Sequence, residues 1–179
     1  MSEMGPMLEL AAFARPAWLG DLLEPLPEID RALFAEGIPR RFIGRWYWAA
    51  HDLSVIERTD GSRILRFGFS GLFSEIGLDL ATAEVIAVVN STPRTEFLVN
   101  SSLEQFTSTV DALIARFPFY DADAERAELN TIGSELLGTI RSIDPEAAVA
   151  DRFWSSFVDD AEMGDLSTED VLEAMIEDL

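Results

Sequence analysis

At Asn100 the hydrophobic rhythm of this chain changes, and that change limits the architectures open to it. Upstream, from Phe42 to Asn100, apolar residues come in short runs separated by turn residues. LSVIER and SRILRFGF flank Thr59-Asp60-Gly61, and Asp-Gly between two such runs is a strong hairpin signal. IGLDL and EVIAVVN flank Ala81-Thr82-Ala83 and read as a second hairpin, and TEFLV supplies a further strand after Pro93. Downstream, Leu103, Phe106, Val110, Leu113, Ile114 and Phe117 recur at helical spacing and mark one buried face.

The flanks complete the pattern. Residues 7 to 36 read as short helices interrupted by Pro16, Pro25 and Pro27, with Asp30 capping a helix through Ala35 and Gly37-Ile38-Pro39 ending it. Beyond the helix at 103 a second covers 122 to 141. A third is expected from Asp144-Pro145, where Asp caps and Pro takes the first helical position, presenting Val149, Phe153 and Phe157. The last starts at Ser167, with Val171, Leu172, Met175, Ile176 and Leu179 as its apolar stripe. Helices, then strands, then helices predict an α+β fold: a mostly antiparallel sheet of about five or six strands, with N-terminal and C-terminal helices packed against it. Residues 1–179 are expected to form one domain, with 165–179 an acidic helical extension.

The period change falls within FLVNSSLEQF, residues 97–106. Serines between a strand and a helix suit a nucleophile turn, a phosphate cradle or a helix cap. A nucleophile needs a base, and His51 is the only histidine; a phosphate cradle needs glycines or a lysine, and the chain has no Lys. A cap needs only Ser101 with Glu104, or Ser102 with Gln105, and both spacings fit a capping box. Gly68-Phe69-Ser70-Gly71-Leu72 approaches a nucleophile elbow, but Leu72 stands where its second glycine belongs. Asp121, Asp123 and Glu125 have the opening spacing of a calcium loop, yet Arg126 and Ile132 occupy the positions that need Gly and Glu. Without cysteine there are no disulfides and no thiolate chemistry. No catalytic residue, metal or cofactor is therefore expected. Carboxylate-only hydrolysis remains the one enzymatic alternative, because paired acids need no other group.

Charge points to a partner. Asp and Glu number 33 against 13 basic residues, all Arg, a net charge of −20. Such a chain repels nucleic acid and accelerates encounter with a basic protein. Nine acids follow Arg152, the last basic residue, and among them Asp159, Asp160, Glu162 and Asp165 are the candidate partner-binding acids. Trp46-Tyr47-Trp48 opens the sheet; on a strand the tryptophans face one way and Tyr47 the other. One reading puts the tryptophans in the sheet–helix core; the other makes Tyr47 or one Trp, Trp48, the exposed aromatic anchor. The start, MSEMGPMLEL, lacks the basic residue of a secretory signal, and no apolar run spans a membrane, so a cytoplasmic location is expected.

GLDLATAEVIAVV and FLVNSSLEQF resemble segments of the SUKH superfamily, particularly its fourth immunity-protein subfamily. Glu36-Gly37-Ile38-Pro39 is similar to the short element preceding the sheet in that group, and Ile143-Asp144-Pro145 with Phe153-Trp154 to its closing region, so the resemblance spans residues 30 to 164. Ala83 departs from it, standing where a turn glycine is common. The resemblance implies a non-catalytic α+β protein, encoded beside a toxin of a bacterial polymorphic toxin system, that binds and neutralises a toxin domain, a nuclease or nucleic-acid deaminase. A regulatory adaptor of the same fold, with a cellular partner in place of a toxin, is the alternative.

Overall fold

The computed structural model describes residues 9–13, 17–43, 46–149 and 151–177, with side chains through residue 173. Two short helices come first, α1 (Ala17–Leu23) and α2 (Glu28–Glu36). Pro27, with its fixed φ, immediately precedes α2, and Asp30 lies buried inside the first turn rather than capping it. Gly37 ends α2 at φ 119°, where its missing Cβ would meet the Leu10 Cβ at 3.0 Å. That close approach admits β1 (Leu10–Ala11), which pairs antiparallel with β2 (Ile38–Pro39). Two-residue strands leave no readable alternation in the sequence.

The main sheet has six antiparallel strands in sequence order: β3 (Arg41–Phe42), β4 (Tyr47–Glu57), β5 (Arg63–Ser70), β6 (Ser74–Asp79), β7 (Val85–Val89) and β8 (Thr95–Asn100). Both expected hairpins form, β4 with β5 and β6 with β7. One face carries Leu65, Phe67, Ile76, Leu78, Val85, Ala87 and Val99 into a single core with the helices. The other face buries a small patch, Ile64, Ile86 and Val88, beside the ion pairs Arg66–Glu75, Arg58–Asp79 and Arg58–Glu96.

On the core face lies α3 (Leu103–Ile114), burying Leu103, Phe106, Val110, Leu113 and Ile114 as its spacing requires. After it come α4 (Arg126–Ile143), α5 (Phe153–Met163) and α6 (Thr168–Glu177). The helix expected from Asp144 begins instead at Phe153. Asp144 is buried and its carboxylate is committed across the fold, accepting from Ser101 N at 2.7 Å, Ser101 Oγ at 2.9 Å and Asn100 Nδ2 at 3.1 Å. Turns follow it, and Asp151 at φ 60° breaks the chain direction before α5. For α6, Val171 packs into the core; the rest of the expected stripe after Leu172 lies outside the described side chains.

The serines of FLVNSSLEQF divide their work. Ser102 is the cap of α3, its Oγ accepting from Gln105 N at 3.1 Å. Ser101 instead joins a buried network in which Asn100 Oδ1 also accepts from Trp154 Nε1 at 2.9 Å.

Candidate functional site

Trp46 starts the site. It lies in the turn before β4, not on the strand, and its ring meets Phe153 at 5.6 Å and Phe157 at 5.3 Å edge-on. Those contacts hold the indole against α5 and make it one wall of a cleft of about 630 Å³. Ile43 stands beside it.

The second wall is the turn between β5 and β6, Gly71-Leu72-Phe73, with Gly71 at φ 55°. Leu72 is 76% exposed and Phe73 70%, the two highest values among the exposed large hydrophobic residues. The turn is pinned rather than loose. Asn90 N donates to the Phe73 carbonyl at 3.0 Å, and Asn90 Nδ2 donates to Glu75 Oε2 at 3.1 Å. Arg66 in turn bonds Glu75 at 3.2 Å.

Carboxylates form the third side: Asp160, Asp165 and Asp170 all line the cleft, with Leu166 and Val171 between them. Local structure accounts for their convergence. At the end of α5, Gly164 adopts φ 98° and Asp165 N bonds back to the Asp160 carbonyl at 3.0 Å, reversing the chain. Leu166 N then donates to Tyr120 Oη at 2.8 Å, fixing the connection. Ser167 caps α6 by accepting from Asp170 N at 3.1 Å and donating to Asp170 Oδ2 at 2.6 Å. Burial, followed by the charges of Asp165 and Asp159, raises the Asp160 carboxyl above the usual carboxylate range. Tyr120 is raised too, by burial first and also by Asp165, Asp170 and Asp160. The side of the cleft is thus an acidic field with no Arg among the described lining residues; Arg45, next to Trp46 in sequence, lies outside the described residues.

The candidate residues separate accordingly. Asp160 and Asp165 come together in the cleft, and Asp159 is exposed beside Asp160. Glu162 turns away: its side chain lies over Gly133 of α4, where an added Cβ would meet Glu162 Cγ. Tyr47 is a correction. It is 0% exposed, wedged edge-on against Phe106 at 5.1 Å and Phe67 at 6.3 Å, and offers a partner no surface. The inward residue of the trio is therefore Tyr47, because it pairs directly opposite Phe42, and cross-strand partners turn to the same face, here the core. Trp48 points to the helix-free face and stacks on Phe69 at 5.9 Å, outside the cleft. Leu72, Phe73 and Asp170 were missed; the available signal was two large apolar residues in a turn, where polar ones are usual.

The Ser–His pair and the calcium-loop acids do not come together at the cleft: neither His51 nor Asp121, Asp123 or Glu125 is among its lining residues. His51 is exposed on β4, and Ser70 is buried opposite Ser74. Asp121, Asp123 and Glu125 are exposed, and among the described residues no three His, Cys, Asp or Glu side chains are grouped to hold a metal. Among the described residues no helix is long and apolar enough to cross a membrane.

A six-stranded antiparallel sheet backed by helices defines an α+β protein, in which an apolar turn stands across a cleft from Asp160, Asp165 and Asp170. The family model for SUKH-4 immunity protein matches residues 26–160, and the chain belongs to that family. The match ends at Asp160, so Asp165, Asp170 and α6 lie beyond it. No curated protein and no solved structure matches the chain.

Proposed function

We propose that the protein neutralises a cognate toxin domain by binding it through the acidic surface of α5 and α6, and that it does so in the cytoplasm without catalysis. Family membership supports the immunity role. The observation that carries the mode of action is the clustering of Asp160, Asp165 and Asp170 at one cleft, in a chain of net charge −20. A partner that handles nucleic acid carries a cationic working surface, and this acid matches it. The toxin is accordingly a nuclease or nucleic-acid deaminase. Its neutralisation follows if the bound protein covers that surface, which needs complementarity but no reaction.

The test is co-expression with the toxin domain encoded beside this chain. The expected result is restored growth and a complex that survives purification at low salt. Growth arrest with no complex would defeat the proposal.

A further inference from the structure

We infer that the cleft between the β5–β6 turn and the α5–α6 connection is the docking site for one segment of the toxin. That segment carries an aliphatic or aromatic side chain next to an Arg or Lys. This rests on the immunity reading above and specifies its contact. The cleft does not rest on its acids alone. Leu72 and Phe73 are exposed at 76% and 70% on a turn held by Asn90 and Glu75, so the apolar half is presented in a fixed shape. A pinned apolar pair loses little freedom when covered, which is the condition under which exposed area converts to affinity. Trp46 faces the same space with its ring already locked on α5.

The charged half selects the occupant. Asp160 is disfavoured as an anion by burial and by Asp165 and Asp159, and a cation placed between them relieves that cost. A second copy of this chain would bring another −20 to the same spot, which argues for a basic partner instead. Leu72, Phe73 and Trp46 belong to the family-matched body, whereas Asp165 and Asp170 stand beyond residue 160. The body thus supplies adhesion and Asp160, and the α5–α6 connection adds Asp165, so that the charge selects a basic segment over a neutral or acidic one.

The experiment measures binding of the neighbouring toxin domain by calorimetry to the full chain and to Leu72→Ser, Phe73→Ser and Asp165→Asn. Ile29→Ser and Glu128→Gln, exposed on α2 and α4, serve as controls. The expected result is a loss of about 10- to 100-fold for Phe73→Ser or Leu72→Ser, the range of an interface anchor. About 5-fold is expected for Asp165→Asn, with a shallower salt dependence. Melting temperatures and control affinities stay unchanged. Tight binding by the wild type with all three variants within twofold of it overturns this site and leaves the immunity reading standing. So does a lower melting temperature for Asp165→Asn at unchanged affinity, which would give that carboxylate to the fold. A wild-type dimer that Phe73→Ser converts to monomer overturns it in favour of a second copy. No binding by the wild type overturns both.

Discussion

Ala83 holds φ 62° at the tip of the β6–β7 turn, in the left-handed region that penalises a Cβ. The rest of the turn tolerates it because Asp79 organises both ends. Asp79 Oδ1 accepts from Ala81 N at 2.8 Å, Asp79 O from Ala83 N at 2.8 Å, and Asp79 Oδ2 meets Arg58 at 2.7 Å. Ala83→Gly should therefore stabilise the protein by about 0.5 kcal/mol, the relief of the left-handed Cβ less the extra entropy of an unfolded glycine. Urea unfolding with an unchanged slope checks it, and a loss of stability would show the turn unstrained. Asp30 is a second cost. It is fully buried, neither oxygen finds a hydrogen-bond partner among the described residues, and burial first, then Glu104, raises its pKa. A carboxyl raised in the folded state binds its proton more tightly there than in the unfolded chain. Stability is then greatest below the unfolded value near 3.8 and falls as pH rises through the folded one. Asp30→Asn should gain about 1 kcal/mol at neutral pH, and the gain should vanish as pH falls below that window. Unfolding curves across pH 3 to 8 test the sign.

Four elements meet at one polar cluster: β8 through Asn100, α3 through Thr109, the end of α4 through Asp144, and α5 through Trp154. Every member is buried, so each partner removed strands another. Asp144→Ala leaves Ser101 N and Ser101 Oγ without their acceptor and the Asn100 amide with Thr109 Oγ1 alone, and should cost about 3 kcal/mol, whereas Ser102→Ala removes only a cap and should cost about 1 kcal/mol. A chemical denaturation series reads both, and equal losses would contradict the ranking. This cluster also shows where sequence reading reaches its end. Hairpins at Asp60-Gly61 and Ala81–Ala83, and α3 from Leu103, were legible because local residues determine period and turn. The start of α5 was not, since a long-range demand on Asp144 overrode a good local cap. Tyr47 is hidden from sequence reading for a related reason: its face is set by pairing with Phe42, and Trp46 lies in a turn where strand alternation does not reach. The cleft was least legible. Its walls come from Ile43 and Trp46, from residues 70 to 74, and from Asp160, Asp165 and Asp170, which no spacing rule connects.

Across the whole molecule, charge and the cleft should act on different steps of binding. A net charge of −20 produces attraction reaching a basic toxin before contact, screened over about 8 Å at physiological salt. Asp159, exposed beside the cleft but not lining it, contributes to that field without occupying the docked surface. Asp159→Arg should therefore slow association several-fold at low salt, leave dissociation within about twofold, and lose its effect as salt rises. Asp160 adds a pH signature with a definite sign. Its carboxyl is raised in the free protein, and a partner cation favours the ionised form, so docking lowers its pKa and releases protons when pH lies near the free value. Affinity should hold steady at higher pH and fall as pH drops through that raised value, beginning above the range of an ordinary Asp. Stopped-flow rates against ionic strength, with calorimetry in two buffers of different ionisation heat, measure both effects. Association insensitive to Asp159→Arg at every salt concentration would leave the acidic surface with a solubilising role alone.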